Sequence, residues 1–321
     1  MNLEPLKIRL NRWGRRQLAG PRLHLLDGKR VPHREPGEVW MLMVCKNEEL
    51  RLPDMLRHHF AMGISRVLMV DNGSTDGTLD ILRRDKRIHV FQTKQSFAGN
   101  KVAWQEILLR RYGIGHWNLL MDADELFAYP GMEKTSLPEF VCALGKEGSE
   151  AIHSLFIEMF PKEPLCDIHY HSGDSLLAAA PWFDADGYVT RKYNAVFGGE
   201  APSHIVMGGT RARIFGGEFG CSKYPLFKYQ PHQFLRLGLH TIEGARLSPG
   251  QCAVLHFKYL QDFHAKVLRE SQRSVYWNGG AEYKAYAAKF EENPTFSLWH
   301  PGAVRFESPA QLASLGLLRA P

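Results

Sequence analysis

Two carboxylates, Asp122 and Asp124, flank one alanine directly after the apolar residues 119–121. Acids two apart at the end of a buried strand can both reach one hard cation, leaving its other positions to water or phosphate oxygens. An acidic turn capping the next helix would use the same residue types. A second acidic cluster, D-N-G-S-T-D-G-T over residues 71–78, also ends an apolar run. Asn72-Gly73 is turn-forming and Ser74 or Thr75 can cap a helix. That leaves Asp71 at the strand terminus, where a carboxylate can accept an N–H or a hydroxyl. Glu48, after the apolar run at 39–44, stands in a comparable position.

Other residues compete for these roles. Asp184 and Asp186 form a second D-x-D, but the twelfth position of a calcium loop starting there is Ala195, which excludes an EF-hand. Asp184 is therefore a turn residue or an acid facing an acceptor. His256 lies inside the apolar run 253–257, where an imidazole needs a partner. It is a hydrogen-bonded core histidine or a third metal ligand from a distant strand, with His240 as the alternative. Arg211 and Arg213 brace a diphosphate or lie on the surface. No P-loop, G-x-G-x-x-G, G-x-S-x-G or H-E-x-x-H sequence occurs, so ATPase, dinucleotide, α/β-hydrolase and zincin chemistry lack support.

The elements that must position these residues alternate. Apolar runs at 39–44, 66–70, 88–91 and 117–121 read as strands, and 53–62, 77–84 and 100–112 as helices. Such alternation predicts an α/β fold with a mostly parallel sheet, whose ligands bind beyond the carboxyl ends of the strands. Three of the strands end in the polar clusters above. Residues 131–248 are less regular and richer in Gly, Pro and aromatics. There 152–157 reads as a strand and 226–239 as strand material, followed by a strand at 253–259, helices at 263–276 and 282–290, and a tail that packs back. These patterns divide the chain into a basic arm (1–36), a ligand-binding half (37–130), a half of mixed α+β character (131–260), which the resemblance given below makes the acceptor side, and a helical tail (261–321).

Composition narrows the class. The 321 residues are 44% hydrophobic and 23% charged, values of a globular chain rather than a disordered one. The formal charge of +6 is unevenly placed: residues 1–35 hold nine Lys/Arg against three acids, and the remainder 31 of each sign. A neutral body argues against nucleic acid as a partner. In the arm, Leu3, Leu6, Leu10 and Trp13 share a face at helical spacing, while Leu6, Ile8 and Leu10 also alternate as in a strand. A basic amphipathic segment of this kind lies on an anionic membrane surface, packs on the body or is simply frayed. Five scattered cysteines without zinc or C-x-x-C spacing suggest a reducing compartment. No apolar run approaches the roughly 18 residues of a membrane span, and the start lacks a secretory leader. Together these features predict a cytoplasmic location.

Taken in order, V-C-K-N-E at 44–48, D-N-G-S-T-D-G-T at 71–78 and L-L-M-D-A-D-E at 119–125 resemble the family 2-like glycosyltransferases of GT-A fold. The later L-H-F-K at 255–258 with F-H-A-K at 263–266 is similar to the C-terminal histidine segment of a bacterial branch of these enzymes. The resemblance implies a nucleotide-sugar donor, often UDP-linked, Mn²⁺ or Mg²⁺ bridging protein and diphosphate, and a glycan or lipid-linked acceptor. It implies Glu48, Asp71 and Asn72 at the nucleoside, Asp122 near ribose and metal, Asp124 on the metal, and His256 completing the metal site. Many of these enzymes have Asp-Asp where this chain has Asp71-Asn72, and their E-D base motif has no clear counterpart. An inverting transfer also needs a carboxylate to take the acceptor's proton, for which Glu158 and Asp184 are the candidates. The competing classes are a non-catalytic sugar-binding relative, which need not keep both Asp122 and Asp124, and a D-x-D phosphatase, which would want Thr or Val at Leu126.

Overall fold

The computed structural model describes residues 4–28, 30–197, 199–271 and 281–321. Its first elements are helix α1 (Glu4–Ala19), the short strand β1 (His24–Leu25) and β2 (Val39–Cys45). All seven residues of β2 are buried. A strand with no polar face must be covered on both sides, and the two-residue period sorts its side chains between two layers. Met41, Met43 and Cys45 enter one core; Trp40, Leu42 and Val44 enter the other.

The next elements are α2 (Leu52–Ala61), β3 (Ile64–Asp71), α3 (Thr78–Arg84), β4 (Ile88–Gln92), α4 (Lys101–Leu108) and β5 (Trp117–Leu120). Leu52, Met55 and Leu56 of α2 cover the first face, and Ala103, Trp104, Ile107 and Leu108 of α4 the second. Gly63 ends α2 at φ +105°, and a side chain there would meet the Pro138 ring at 2.8 Å. The helix expected over 100–112 divides, because a π turn takes over at Leu109–Gly113.

Two elements were not read from the sequence. Strand β6 (Glu125–Ala128) follows the acidic turn, and α5 (Leu137–Lys146) begins with a capping box in which the Glu139 carboxylate accepts from the Ser136 N–H at 2.8 Å. The S-x-x-E spacing was the readable signal. Then come β7 (Ala151–Glu158), α6 (Leu176–Ala179), β8 (Trp182–Phe183), the hairpin β9 (Tyr188–Lys192) and β10 (His204–Gly208), and α7 (Gly209–Phe215). The stretch 226–239 breaks into short pieces: after β11 (Ser222–Lys223) come β12 (Leu226–Lys228) and β13 (Phe234–Arg236), then β14 (Thr241–Glu243). Strand β15 (Leu247–His256) starts earlier than expected and ends at the histidine. Helices α8 (Phe263–Ser271) and α9 (Ala281–Glu292), β16 (Val304–Arg305) and α10 (Pro309–Ser314) complete the described chain. The rest of the helix expected over 263–276 lies outside the described residues, as does Leu3. The tail does pack back: Leu312, Leu317 and Leu318 are buried, and Arg319 and Gln251 exchange backbone hydrogen bonds at 2.9 Å.

The central sheet runs β1-β4-β3-β2-β5-β12-β7-β15-β6, with β11 also on β7. Strands β4, β3, β2 and β5 are parallel. Strand β12 is antiparallel to both β5 and β7, so β7 points the same way as β5, and β15 is parallel to β7. The carboxyl ends of β2, β3, β5, β7 and β15 therefore share one edge. Strand β6 runs against β15, which brings its first residue, Glu125, to that edge as well.

One buried group makes the fold acid-sensitive. His59 on α2 is fully buried, with Nδ1 2.8 Å from the Met55 carbonyl and the Phe127 N–H donating to Nε2. Both contacts are made by the neutral ring. Burial, aided by His58 and opposed by the Met55 contact, lowers its pKa to about 3. The unfolded chain binds this proton near pH 6.5. Stability present above 6.5 should thus fall as pH drops from 6.5 toward 3, by about 1.4 kcal/mol per pH unit for this one group. Denaturant titrations between pH 7 and 4.5 measure the slope; a flat profile would refute it.

Candidate active site

The first two motifs are bound to each other before any ligand is considered. Asn47, at φ +56°, donates its backbone N–H to the Ser74 hydroxyl at 2.9 Å and accepts from the Thr75 N–H at 2.8 Å. The Glu48 N–H donates to Thr78 Oγ1 at 2.8 Å, and the Glu49 carboxylate accepts from the Gly77 N–H at 2.6 Å. Asp71 is fully buried and accepts from the Gly73 and Ser74 N–H groups, each at 3.1 Å, and from the Gln92 amide at 3.0 Å. The Asn72 amide donates to the Thr93 and Gln95 carbonyls at 3.2 and 2.8 Å. Most polar groups of these motifs thus shape two facing loops.

Glu48 differs from its neighbours. Its Oε2 is buried and accepts no hydrogen bond, and the nearest cation is the Arg51 guanidinium at 3.5 Å. Burial, opposed by Arg51 and reinforced by Asp124, pushes its carboxyl up to about 7. Arg51 is itself committed to Asp262, beyond β15, with Nη1 at 2.9 Å from Oδ2. A buried carboxyl short of partners costs stability unless a ligand supplies them.

The third motif is surrounded by cations. Asp122 Oδ1 lies 2.6 Å from Lys101 Nζ, and Oδ2 lies 3.7 Å from Lys223 Nζ. Burial pushes this carboxyl up, but the two lysines outweigh it and its pKa falls below the ordinary value. Lys223, on β11, also pairs with buried Glu125, whose Oε2 accepts the Asp122 N–H at 3.0 Å. Neither lysine was picked out from the sequence. Lys101 left a trace, since a cation in the first turn opposes the helix dipole and needs a reason. Lys223 left none.

Asp124 and His256 meet from positions 132 apart, His256 Nε2 being 3.2 Å from Asp124 Oδ2. On its other side His256 Nδ1 lies 2.9 Å from Glu158 Oε2. The register explains the row: His256 stands opposite Glu158 on β7 and opposite Glu125 on β6. Burial disfavours the imidazolium, yet Glu158 and Asp124 raise its pKa to about 9. Burial likewise opposes ionisation of Asp124 and Glu158, but adjacent cations prevail: Asp124 is held well below the carboxylate range by His256, Lys266 and Arg51. Arg211 and His256 bring Glu158 to about 2. Arg211 Nε is 2.7 Å from Glu158 Oε1, and Glu282 links Arg211 at 3.7 Å to Lys258 at 2.5 Å.

Asp184 stands outside this row. Arg213 Nε and His300 Nε2 occupy its two oxygens at 2.9 and 2.7 Å, and it is 4% exposed. Both arginines named from sequence are therefore partners of the candidate acids. His240 hydrogen-bonds the Ser222 carbonyl at 2.7 Å, and burial lowers its pKa to about 4.

For a divalent ion, no group of three or more His, Cys, Asp or Glu side chains suited to a metal occurs among the described residues. Asp124 and His256 are the residues that would hold one, with the ion replacing the Nε2 proton that faces Asp124. A carboxylate holding the far nitrogen of a ligating histidine is the usual outer support of a metal site, and Glu158 has that position.

Residues 40–135 match the family model described as Glycosyl transferase family 2. No curated protein matches the chain. Among solved structures, mannosyltransferase PcManGT from Pyrobaculum calidifontis, in complex with GDP-Man and Mn²⁺, is 17% identical, covering 90% of this chain and 76% of its own at TM-score 0.35. A UDP-glucose pyrophosphorylase from Acinetobacter baumanii is 9% identical, covering 79% and 99%, at TM-score 0.33. Likenesses so distant carry no weight for substrate. The family match spans all three strand-end motifs, and the sheet delivers them to one edge: residues 40–135 are a glycosyl transferase family 2 segment set in a mixed α/β fold of GT-A type.

Proposed function

We propose that the chain moves a sugar from a nucleoside-diphosphate sugar, UDP-linked on the motif resemblance, to a hydroxyl of a glycan or lipid-linked acceptor, with inversion and with Mn²⁺ or Mg²⁺. The observation that carries the reading is the row Asp124–His256–Glu158, two of its members 3.2 Å apart and the third behind the imidazole. In this reading Asp124 and His256 hold the ion, which would neutralise charge developing on the leaving diphosphate. Asp122 takes the ribose side, and Lys101 and Lys223 can turn from its carboxylate toward phosphate oxygens. Glu48 supplies the acceptor atom that the nucleoside's donors complete, beside the loop built by Asp71 and Asn72.

Two carboxylates are candidates for the acceptor's proton. Asp184 has both oxygens occupied. Glu158 is paired with His256 and Arg211, and its low pKa makes it a weak base. These contacts favour Glu158 as a positioning residue for His256.

Calorimetry with UDP-, GDP- and dTDP-sugars, with and without Mn²⁺, tests the whole reading. The expected result is binding of a UDP-sugar that requires the ion. Absence of metal-dependent binding for every donor would remove its basis.

A further inference from the structure

Helix α1 packs the wrong way round for a soluble surface helix. Three of its four arginines reach the protein: Arg12 and Arg16 meet Glu106 of α4 at 2.7 and 2.5 Å, and the Arg12 guanidinium lies 4.0 Å from the Phe234 ring centre. Arg15 donates to the Gly99 carbonyl. Its large apolar side chains face out: Leu6, Leu10, Trp13 and Leu18 are 55%, 58%, 57% and 65% exposed. At 100° per residue, Leu6, Leu10 and Trp13 fall within a narrow stripe. A helix ordinarily turns such a stripe to the core.

The rim of the stripe is basic. Lys7 and Arg9 flank it on α1 and are exposed, and Glu4 is the only acid among the helix's 16 residues. Beyond its end a groove of about 420 Å³ opens between α1 and the region after α4, lined by Arg16, Arg110 and Arg111. The one nearby acid of α4, Glu106, is already neutralised by Arg12 and Arg16.

We infer that this face docks on an anionic lipid surface, α1 lying flat with Leu6, Leu10 and Trp13 in the acyl boundary and the surrounding lysine and arginines at the headgroups. Charge complementarity selects the occupant. Apolar side chains alone would suit a second copy of the chain, but a copy would bring the same cations and repel. An apolar stripe rimmed by cations is matched by hydrocarbon beneath anionic headgroups. Among the described residues no helix is long and apolar enough to cross a membrane, and surface docking requires none. The inference is independent of the donor reading, since it needs neither nucleotide nor metal.

Flotation of the full chain with vesicles of phosphatidylcholine alone, or mixed equally with phosphatidylglycerol, decides it. Binding is expected on the anionic vesicles only, weakening with salt. Leu10→Asp with Trp13→Asp should lower the partition by about 100-fold, and Arg110→Ala and Arg111→Ala by roughly fivefold per charge. Unchanged melting and nucleotide binding verify that the variants fold. No partition, or partition indifferent to the Leu10 and Trp13 changes, would overturn the inference. So would a dimer in gel filtration that those changes dissolve, since a second copy would then cover the stripe.

Discussion

Asp124→Ala should lower transfer by about 100- to 1000-fold and abolish the Mn²⁺ dependence of donor binding. The size follows from two losses. The carboxylate is the member of its motif held most firmly ionised, because His256, Lys266 and Arg51 outweigh its burial, and an ionised oxygen is what a hard cation requires. Its removal also strips His256 Nε2 of its neighbour at 3.2 Å, so the imidazole proposed as second ligand loses its orientation. Asp124→Asn separates charge from shape: it keeps the volume and should fail equally with metal, while melting close to the parent. Calorimetry with a UDP-sugar in the presence and absence of Mn²⁺ provides the measurement. Unchanged nucleotide affinity would remove the ion from this turn.

Glu158→Gln should weaken Mn²⁺ binding by about 10- to 100-fold, the usual loss when the support behind a metal-bound histidine is removed. Excess Mn²⁺ should then restore most of the turnover. A catalytic base would behave otherwise: metal affinity would stay and kcat would fall at every Mn²⁺ concentration. The carboxylate also neutralises Arg211 at 2.7 Å, so Glu158→Ala should destabilise the fold by about 3–5 kcal/mol by leaving a buried charge unpaired. Metal titration followed by kcat at saturating Mn²⁺ distinguishes the two roles. A loss of turnover that excess metal cannot rescue would make Glu158 the base.

The first half of the fold was legible because each signal there is local. An uninterrupted apolar run such as Val39–Cys45 needs cover on both faces wherever it sits, and acids at the ends of parallel strands arrive at one edge by topology alone. Glu158 was visible as a strand-end residue for the same reason, and His256 as a polar residue inside an apolar run. Their alignment with Glu125 was not, since it depends on the register of β7, β15 and β6. Between β7 and β15 the second half resisted because its strands run two to five residues and pair antiparallel, too short to show a period. Net charge misled in a specific way. A body with equal acids and bases shows no surplus of either sign, yet Lys101, Lys223, Arg211, Arg51 and Lys258 gather at this edge, each beside a carboxylate. A sum over the chain cannot reveal that pairing. The arm's spacing fitted a helix or a strand, and it is a helix; its orientation depended on Glu106, a residue of another helix.

The row of ionised groups across β6, β15 and β7 has a consequence for the life of the protein as well as its chemistry. Charges taken into a sheet interior cost about as much to dehydrate as they return by pairing, and apolar side chains of similar size would often hold the same strands better by roughly 1–4 kcal/mol. The working edge is thus where the molecule forgoes robustness. Drift under selection for folding alone would erode it first, turning carboxylates and imidazole into leucines while the flanking cores stayed intact. A descendant released from catalysis should be hardier than this chain and silent.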